Sequence, residues 1–365
     1  MWRETDYYQA MNNLKFVIIA GYLVLTFLGL LMLTSIAPDR VAQQAALLFF
    51  GSILMLYLST QDIAIFRNFA IPFYLFALIL LISTYIFGDY VRGALRWIDL
   101  FGLRLQTSEL VKPLLIISFA YFLERFPPTT IKGIFINLST FLLPAFLIFR
   151  QPDLGTSLVI FAIWGVMVFM AQLPLWVITL GALGLVGASY FSPLFLKPYQ
   201  LERLRTFFDP YQDPLGSGYN VIQAIIAIGS GQILGVGLGN GTQSHFRFLP
   251  ERHTDFMFAS LAEELGLIGA GAVVIIFAAI LYALVSTILI LPTYYPRLVL
   301  AGVFGYIAFQ FGINTGMNLG IAPVTGVTLP LVSYGGSSVL ATALAFGLAL
   351  SASRSAKPLR VLEIK

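Results

Sequence analysis

Ten stretches of this chain are apolar over lengths that approach or exceed what a bilayer crossing needs, and that property limits the fold more than any other. A helix needs about 20 residues to cross about 30 Å of hydrocarbon. Runs of this order lie at 15–34, 41–59, 70–87, 109–123, 134–149, 154–171, 174–191, 265–291, 298–320 and 334–352. Inside hydrocarbon each backbone amide must be satisfied within its own segment, so these runs are expected to be helices. The two short runs, 109–123 and 134–149, are expected to extend into their flanks. The fold class that follows is an all-α polytopic membrane protein of about ten transmembrane helices with two large extracytoplasmic loops, forming one integral membrane domain over residues 1–365. The run from Phe16 to Leu33 is too long for a signal-peptide core and no small-residue cleavage site follows it, so it reads as a retained first span.

Composition narrows the function classes. Charged residues make up 10% of the chain, against about 25% in a soluble domain. The net charge of +4 is dispersed, which leaves no footprint for nucleic acid. There is no cysteine, which excludes disulfides, thiolate catalysis and cysteine-ligated metals. An even number of spans puts both termini on one side, and Arg354, Lys357, Arg360 and Lys365 place that side in the cytoplasm. Ten Lys or Arg fall on each side, but five of the outer ten lie in one loop too long for the positive-inside rule to count, which leaves ten to five.

Two outer loops are longer than the rest. The first covers 88–108 and carries GALRWI, in which Trp97 reads either as an interfacial anchor or as a platform for a sugar ring. The second covers 192–255. Within it Arg203 and Arg205 suit either a phosphate or anionic lipid head groups. Residues 220–233 are apolar but too short to span, as an interfacial or re-entrant segment would be. The glycine-rich run from Gly229 to Gly241 lacks the Lys-Ser/Thr ending of a phosphate loop, so close backbone packing or a hinge is the better reading. Two histidines without cysteine do not make a zinc site, and no Gly-x-Ser-x-Gly elbow accompanies His253-Thr254-Asp255. The histidines read as bystanders. Asp255, Glu263 and Glu264 are three carboxylates within ten residues, next to basic loops, and that density points to a site.

On the fourth run Ser108 is the expected N-cap, and Glu109 and Lys112, three apart, share a face and can pair. They read either as a snorkelling anchor or as the charged lining of an outward cavity. Residues 322–338, with two prolines and a Gly pair, read as a wall of that same cavity.

Taken together, GALRWI at 93–98 with SEL-x-K at 108–112, QPDLGTS at 151–157, GTQ-x5-FLPERHTDF at 241–256 with EELG at 263–266, and PVTG-x3-P-x2-SYGGSS at 323–338 resemble the SEDS family of shape, elongation, division and sporulation proteins, closer to its elongation branch than to its division branch. Thr107, where the family usually has proline, departs from the pattern and bears only on the start of that helix. The resemblance implies a peptidoglycan glycosyltransferase that polymerises lipid II at the outer membrane face, with a class B penicillin-binding protein as crosslinking partner. It places the essential aspartate on Asp255 and the family's charged pair on Glu109 and Lys112.

On this reading Asp255 takes a proton from the acceptor hydroxyl, while Arg203, Arg205, Lys112 or a divalent cation (magnesium or manganese) holds the donor pyrophosphate. Glu109, Glu251 and Ser333 complete the expected substrate contacts. An aspartate with an ordinary pKa of about 3.9 is a weak base, and Arg252 and His253 as neighbours would not raise it, so base and metal ligand both stay open for Asp255. Rival readings are a lipid II flippase and a non-catalytic scaffold for the partner. No charged residue falls near the middle of a proposed helix, which favours chemistry at one interface over passage through the membrane.

Overall fold

The computed structural model describes residues 4–91, 94–100, 103–174, 176–177, 179–181, 183–184 and 198–354. Its elements are α1 (Glu4–Ile36), α2 (Val41–Thr60), α3 (Ile63–Asn68), α4 (Ala70–Phe87), β1 (Asp89–Val91), β2 (Ala94–Leu100), β3 (Leu103–Gln106), α5 (Thr107–Arg125), α6 (Ile131–Arg150), α7 (Leu154–Met170), α8 (Pro198–Phe208), α9 (Tyr219–Gly231), α10 (Thr242–His245), α11 (Met257–Ile290), α12 (Tyr294–Asn318) and α13 (Gly336–Arg354).

Among the described residues seven helices are long and apolar enough to cross a membrane, and they make this a multi-pass membrane protein. The helices α5 and α7 coincide with two more of the expected runs, and the run at 174–191 lies largely outside the described residues, as do Lys357, Arg360 and Lys365 of the C-terminal tail. Burial separates the helices into two shells. The apolar windows of α2, α4 and α6 are 28% buried, so most of their surface is left for lipid. Those of α12 and α13 are 67% and 83% buried and, with α5, form the centre of the bundle. Lipid is as apolar as leucine, so the central helices approach through small residues. A Cβ at Gly302 would sit 2.8 Å from Ile116 and Met167, and one at Gly347 would sit 2.8 Å from Leu58.

Three expectations change. The first outer loop is a three-stranded antiparallel sheet, β1-β2-β3, rather than irregular chain. Its register sets Asp99 opposite Arg104 and Trp97 opposite Gln106, and opposite charges across a pair help hold such a register. Ser108 is not an N-cap: α5 begins at Thr107, and the Ser108 hydroxyl donates to Asp153 Oδ2 at 3.0 Å. Asp153 is the true cap, accepting from Thr156 N at the head of α7. The eighth run begins at Met257, not at 265, because Glu263 and Glu264, which hydropathy rejects, lie inside the helix with their charge engaged internally. That helix breaks once, at Gly266, with φ 65° and ψ −163°.

The break receives the glycine-rich strand as a neighbour. Val236 N donates to Glu263 O at 3.0 Å and Gly237 N to Glu264 O at 3.1 Å, while Leu267 N and Ile268 N return bonds to Gln232 O and Ile233 O. A Cβ at Gly235 (φ 80°) would lie 2.1 Å from Glu264 O, so glycine there serves close backbone packing. The apolar 220–233 segment is largely α9, which packs on α11.

A candidate active site at the head of α11

The turn 251–256 leads into α11 and carries Asp255. Each backbone carbonyl of that turn up to Asp255 has a donor. Glu251 O accepts from Thr254 N (3.0 Å) and Phe256 N (3.2 Å), and Arg252 O accepts from Ser260 Oγ (3.3 Å). His253 O accepts from Tyr334 N at 2.8 Å, and Thr254 O from Ser333 Oγ at 2.6 Å. Asp255 O accepts from two side-chain amides, Asn314 Nδ2 at 3.0 Å and Asn318 Nδ2 at 3.1 Å. Glu251 is held at φ 52°, an unfavourable backbone for a non-glycine residue, and its own Oε2 accepts from Thr254 Oγ1 at 3.1 Å. Donors from α11, from α12 and from the 322–335 segment therefore fix the backbone on which the half-buried Asp255 is carried. Preorganisation of this kind removes the cost of ordering a reacting group at the moment of reaction.

The three nearby carboxylates do not form a cluster. Glu263 is fully buried and turns to α10, where its two oxygens accept from Gln243 N at 2.8 Å and Ser244 N at 3.0 Å. Glu264 Oε1 accepts from Ser35 Oγ at 2.8 Å and lies 2.9 Å from His245 Nε2. His245 Nε2 is also 3.1 Å from Ser35 Oγ, so one ring nitrogen meets both partners. A Ser-His-acid relay uses two different ring nitrogens, so this trio ties α1, α10 and α11 together and is no nucleophile. His245 is thus part of the frame. His253 packs its ring 5.7 Å from that of Tyr334, and burial lowers its pKa, which keeps it neutral at pH 7.

Glu109 and Lys112 pair as their spacing allows, with Lys112 Nζ 2.6 Å from Glu109 Oε1. Lys112 is fully buried, donates also to Gln310 Oε1 at 3.0 Å and lies over the Tyr306 ring. Glu109 Oε2 has no hydrogen-bond partner among the described residues. Ser333, 1% exposed, spends its hydroxyl on Thr254 O and Leu329 N, which makes it a brace of the turn in this structure. Arg205 is exposed on α8 in a cleft with Glu202, Asp209 and Asp213. The helix α8 packs on the 210–212 turn, which packs on α9.

The sequence reading missed Gln310, Asn314 and Asn318, all three fully buried. Spaced by four, they line one face of α12. Gln310 bonds Lys112 and Thr328 O, Asn314 bonds Asp255 O and Val327 O, and Asn318 bonds Asp255 O and accepts from Ala259 N at 3.0 Å. This polar stripe joins the buried ion pair to the Asp255 turn. The i, i+4 spacing of amides in an apolar run was the available signal. Among the described residues no group of three or more His, Asp or Glu side chains converges to hold a metal. The donor set therefore fits at most a magnesium or manganese ion shared with substrate phosphates, to which Asp255 would lend a single carboxylate.

Residues 13–358 match the family model of the FtsW, RodA and SpoVE cell cycle proteins. The chain is 38% identical over 309 residues to the peptidoglycan glycosyltransferase MrdB of Escherichia coli K12, covering 82% of each. It is 32% identical over 427 aligned positions to the peptidoglycan glycosyltransferase RodA of Treponema pallidum, covering 94% of this chain and 98% of that one. Its fold is similar to a chain of a peptidoglycan synthase complex solved for its structural coordination of polymerization and crosslinking, with TM-score 0.80, 33% identity, and coverage of 93% and 97%.

Proposed function

The chain belongs to the family of FtsW, RodA and SpoVE cell cycle proteins, and from that premise we infer that it is a peptidoglycan glycosyltransferase of the elongation type. Its donor and acceptor are both read as lipid II, and its working face as the outer side of the bacterial cytoplasmic membrane, with both termini in the cytoplasm. The observation that carries the site assignment is the turn 251–256, where each carbonyl from Glu251 to Asp255 is bonded.

In the proposed reaction the 4-hydroxyl oxygen of the acceptor GlcNAc attacks C1 of the donor MurNAc. The C1–O bond to the polyprenyl pyrophosphate breaks, its electron pair leaves with the pyrophosphate, and the configuration at C1 inverts. Asp255 accepts the hydroxyl proton, and Glu251 sits where it orients the same turn. A positioned general base contributes about 10²–10⁴ in rate. If magnesium or manganese is required, Asp255 would offer its carboxylate, and the cation would supply charge neutralisation for the pyrophosphate. Glu109 and Lys112 act through Gln310 and the α12 stripe, since a fully buried lysine presents no ammonium to a substrate in this state. A class B penicillin-binding protein is the proposed partner, in line with the crosslinking described for the related synthase complex.

The test is polymerisation of lipid II by the purified full-length chain in proteoliposomes, with and without the partner and with EDTA. Glycan strands formed without net movement of lipid II across the bilayer are expected. Translocation without polymer would overturn the reading in favour of a flippase, and neither activity would favour a scaffold.

A further inference from the structure

The departing pyrophosphate needs a counter-charge, and Arg205, one expected source of it, stands among carboxylates on α8. A different pair of arginines lies against the Asp255 turn. Arg252 leaves the turn three residues before Asp255, and its Nη2 donates to Ile36 O at 3.1 Å. Among the described residues its Nε is shut off from solvent and has no hydrogen-bond partner. Arg40 ends the 3₁₀ turn Pro38–Arg40, close to the Ile36 carbonyl that Arg252 holds. Its Nη1 donates to the Tyr334 hydroxyl at 3.5 Å, and the guanidinium lies 5.3 Å from the Tyr334 ring centre. Tyr334 in turn donates its amide to His253 O. Both guanidiniums therefore lie near the His253–Tyr334 pair, in the chain that runs into Asp255.

The charges around them leave room for an anion. Asp39 pairs with Arg40 Nε at 3.0 Å, but this is an exposed pair, which contributes little. The Glu251 carboxylate already accepts from Thr254. Burial and the nearby Arg247 lower the Arg252 pKa, against the opposing pull of Asp39 and Glu251. Guanidinium geometry matches phosphate oxygens, and a buried unpaired donor is costly until something accepts from it.

We propose that Arg40 and Arg252 form the seat for the pyrophosphate of a polyprenyl-linked donor, at the turn that carries Asp255. The proposal rests on the glycosyltransferase reading for its ligand, and it moves the counter-charge from α8 to the clasp between the α1–α2 turn and the head of α11. Arg252 would supply its idle Nε, and Arg40 would exchange part of its contact with Asp39 for the phosphate.

Binding of undecaprenyl pyrophosphate and of undecaprenyl monophosphate to the full-length chain in nanodiscs tests this, in an Asp255→Asn background so that no turnover occurs. Arg40→Gln and Arg252→Gln are each expected to weaken pyrophosphate binding about tenfold, the effect of one lost charge-assisted bond, and monophosphate binding less. Arg252→Lys is expected to fall between wild type and Arg252→Gln. Pyrophosphate affinity unchanged in both glutamine variants, or a larger loss in Arg205→Gln than in either, would overturn the seat. Should Arg252→Gln fail to fold for want of its bond to Ile36, Arg40→Gln carries the test alone. Binding is read without catalysis, so a negative result here leaves the role of Asp255 standing, and failure of that role leaves the seat standing.

Discussion

Asp255 and the Glu263–Glu264 pair lie within ten residues of one another and are spent in opposite ways. The two glutamates are buried inside α11, their oxygens given to α10 and to Ser35 and His245. Asp255 is half-buried on a turn whose backbone is held by α11, α12 and the 322–335 segment. Glu263 and Glu264 build the frame, and the frame presents Asp255. Carboxylate density therefore marks where a membrane protein spends charge, and burial separates the two glutamates inside α11 from the half-buried Asp255.

The largest effect that sharpens this contrast is expected from Glu263→Ala. It strips two buried amides of their acceptor, at about 1–3 kcal/mol each, so folded yield and thermal midpoint should fall together with activity. An unchanged melting curve would break the contrast. Lys112→Met should come next, since breaking a buried pair costs about 3–5 kcal/mol. Replacing Glu109 and Lys112 together with apolar residues should recover much of that stability, and purified yield of the two variants decides it. Asn318→Leu leaves Ala259 N without its partner and Asp255 O with one donor fewer, a loss of roughly 1–3 kcal/mol. Its sharper signature is kinetic: kcat should fall about tenfold with KM for lipid II little changed, and in an Asp255→Asn background the same change should cost no further activity. The smallest effect concerns His253. Its pKa is lowered in the folded protein, so its contribution is complete above the ordinary histidine value of about 6.5 and fades as pH falls through the folded value. His253→Gln should flatten the loss of thermal stability below pH ~6 and leave activity at pH 7 unaltered.

Much of the fold was legible because hydrocarbon enforces it. Apolar runs of spanning length found the helices, and three-residue spacing found the Glu109–Lys112 pair. The sheet at 89–106 was not legible, since short strands without clear alternation resemble loop. The hydrogen bond from Ser108 to Asp153 crosses 45 positions, and no local rule pairs residues so far apart. Asp255 was singled out, yet what holds it was not: Asn314 and Asn318 sit in a run that hydropathy scores as plain membrane span. Their value comes only from the 59 and 63 positions that folding closes between them and Asp255.

The account stands or falls on Asp255 being presented for chemistry by a frame that does not need its charge. Asp255→Asn keeps the backbone carbonyl that Asn314 and Asn318 hold and removes only the carboxylate. The purified variant, assayed for lipid II polymerisation beside its thermal midpoint, should melt with wild-type protein and lose about 10²–10⁴ in rate. Polymerisation at the wild-type rate, or activity lost only in step with the fold, would contradict the account.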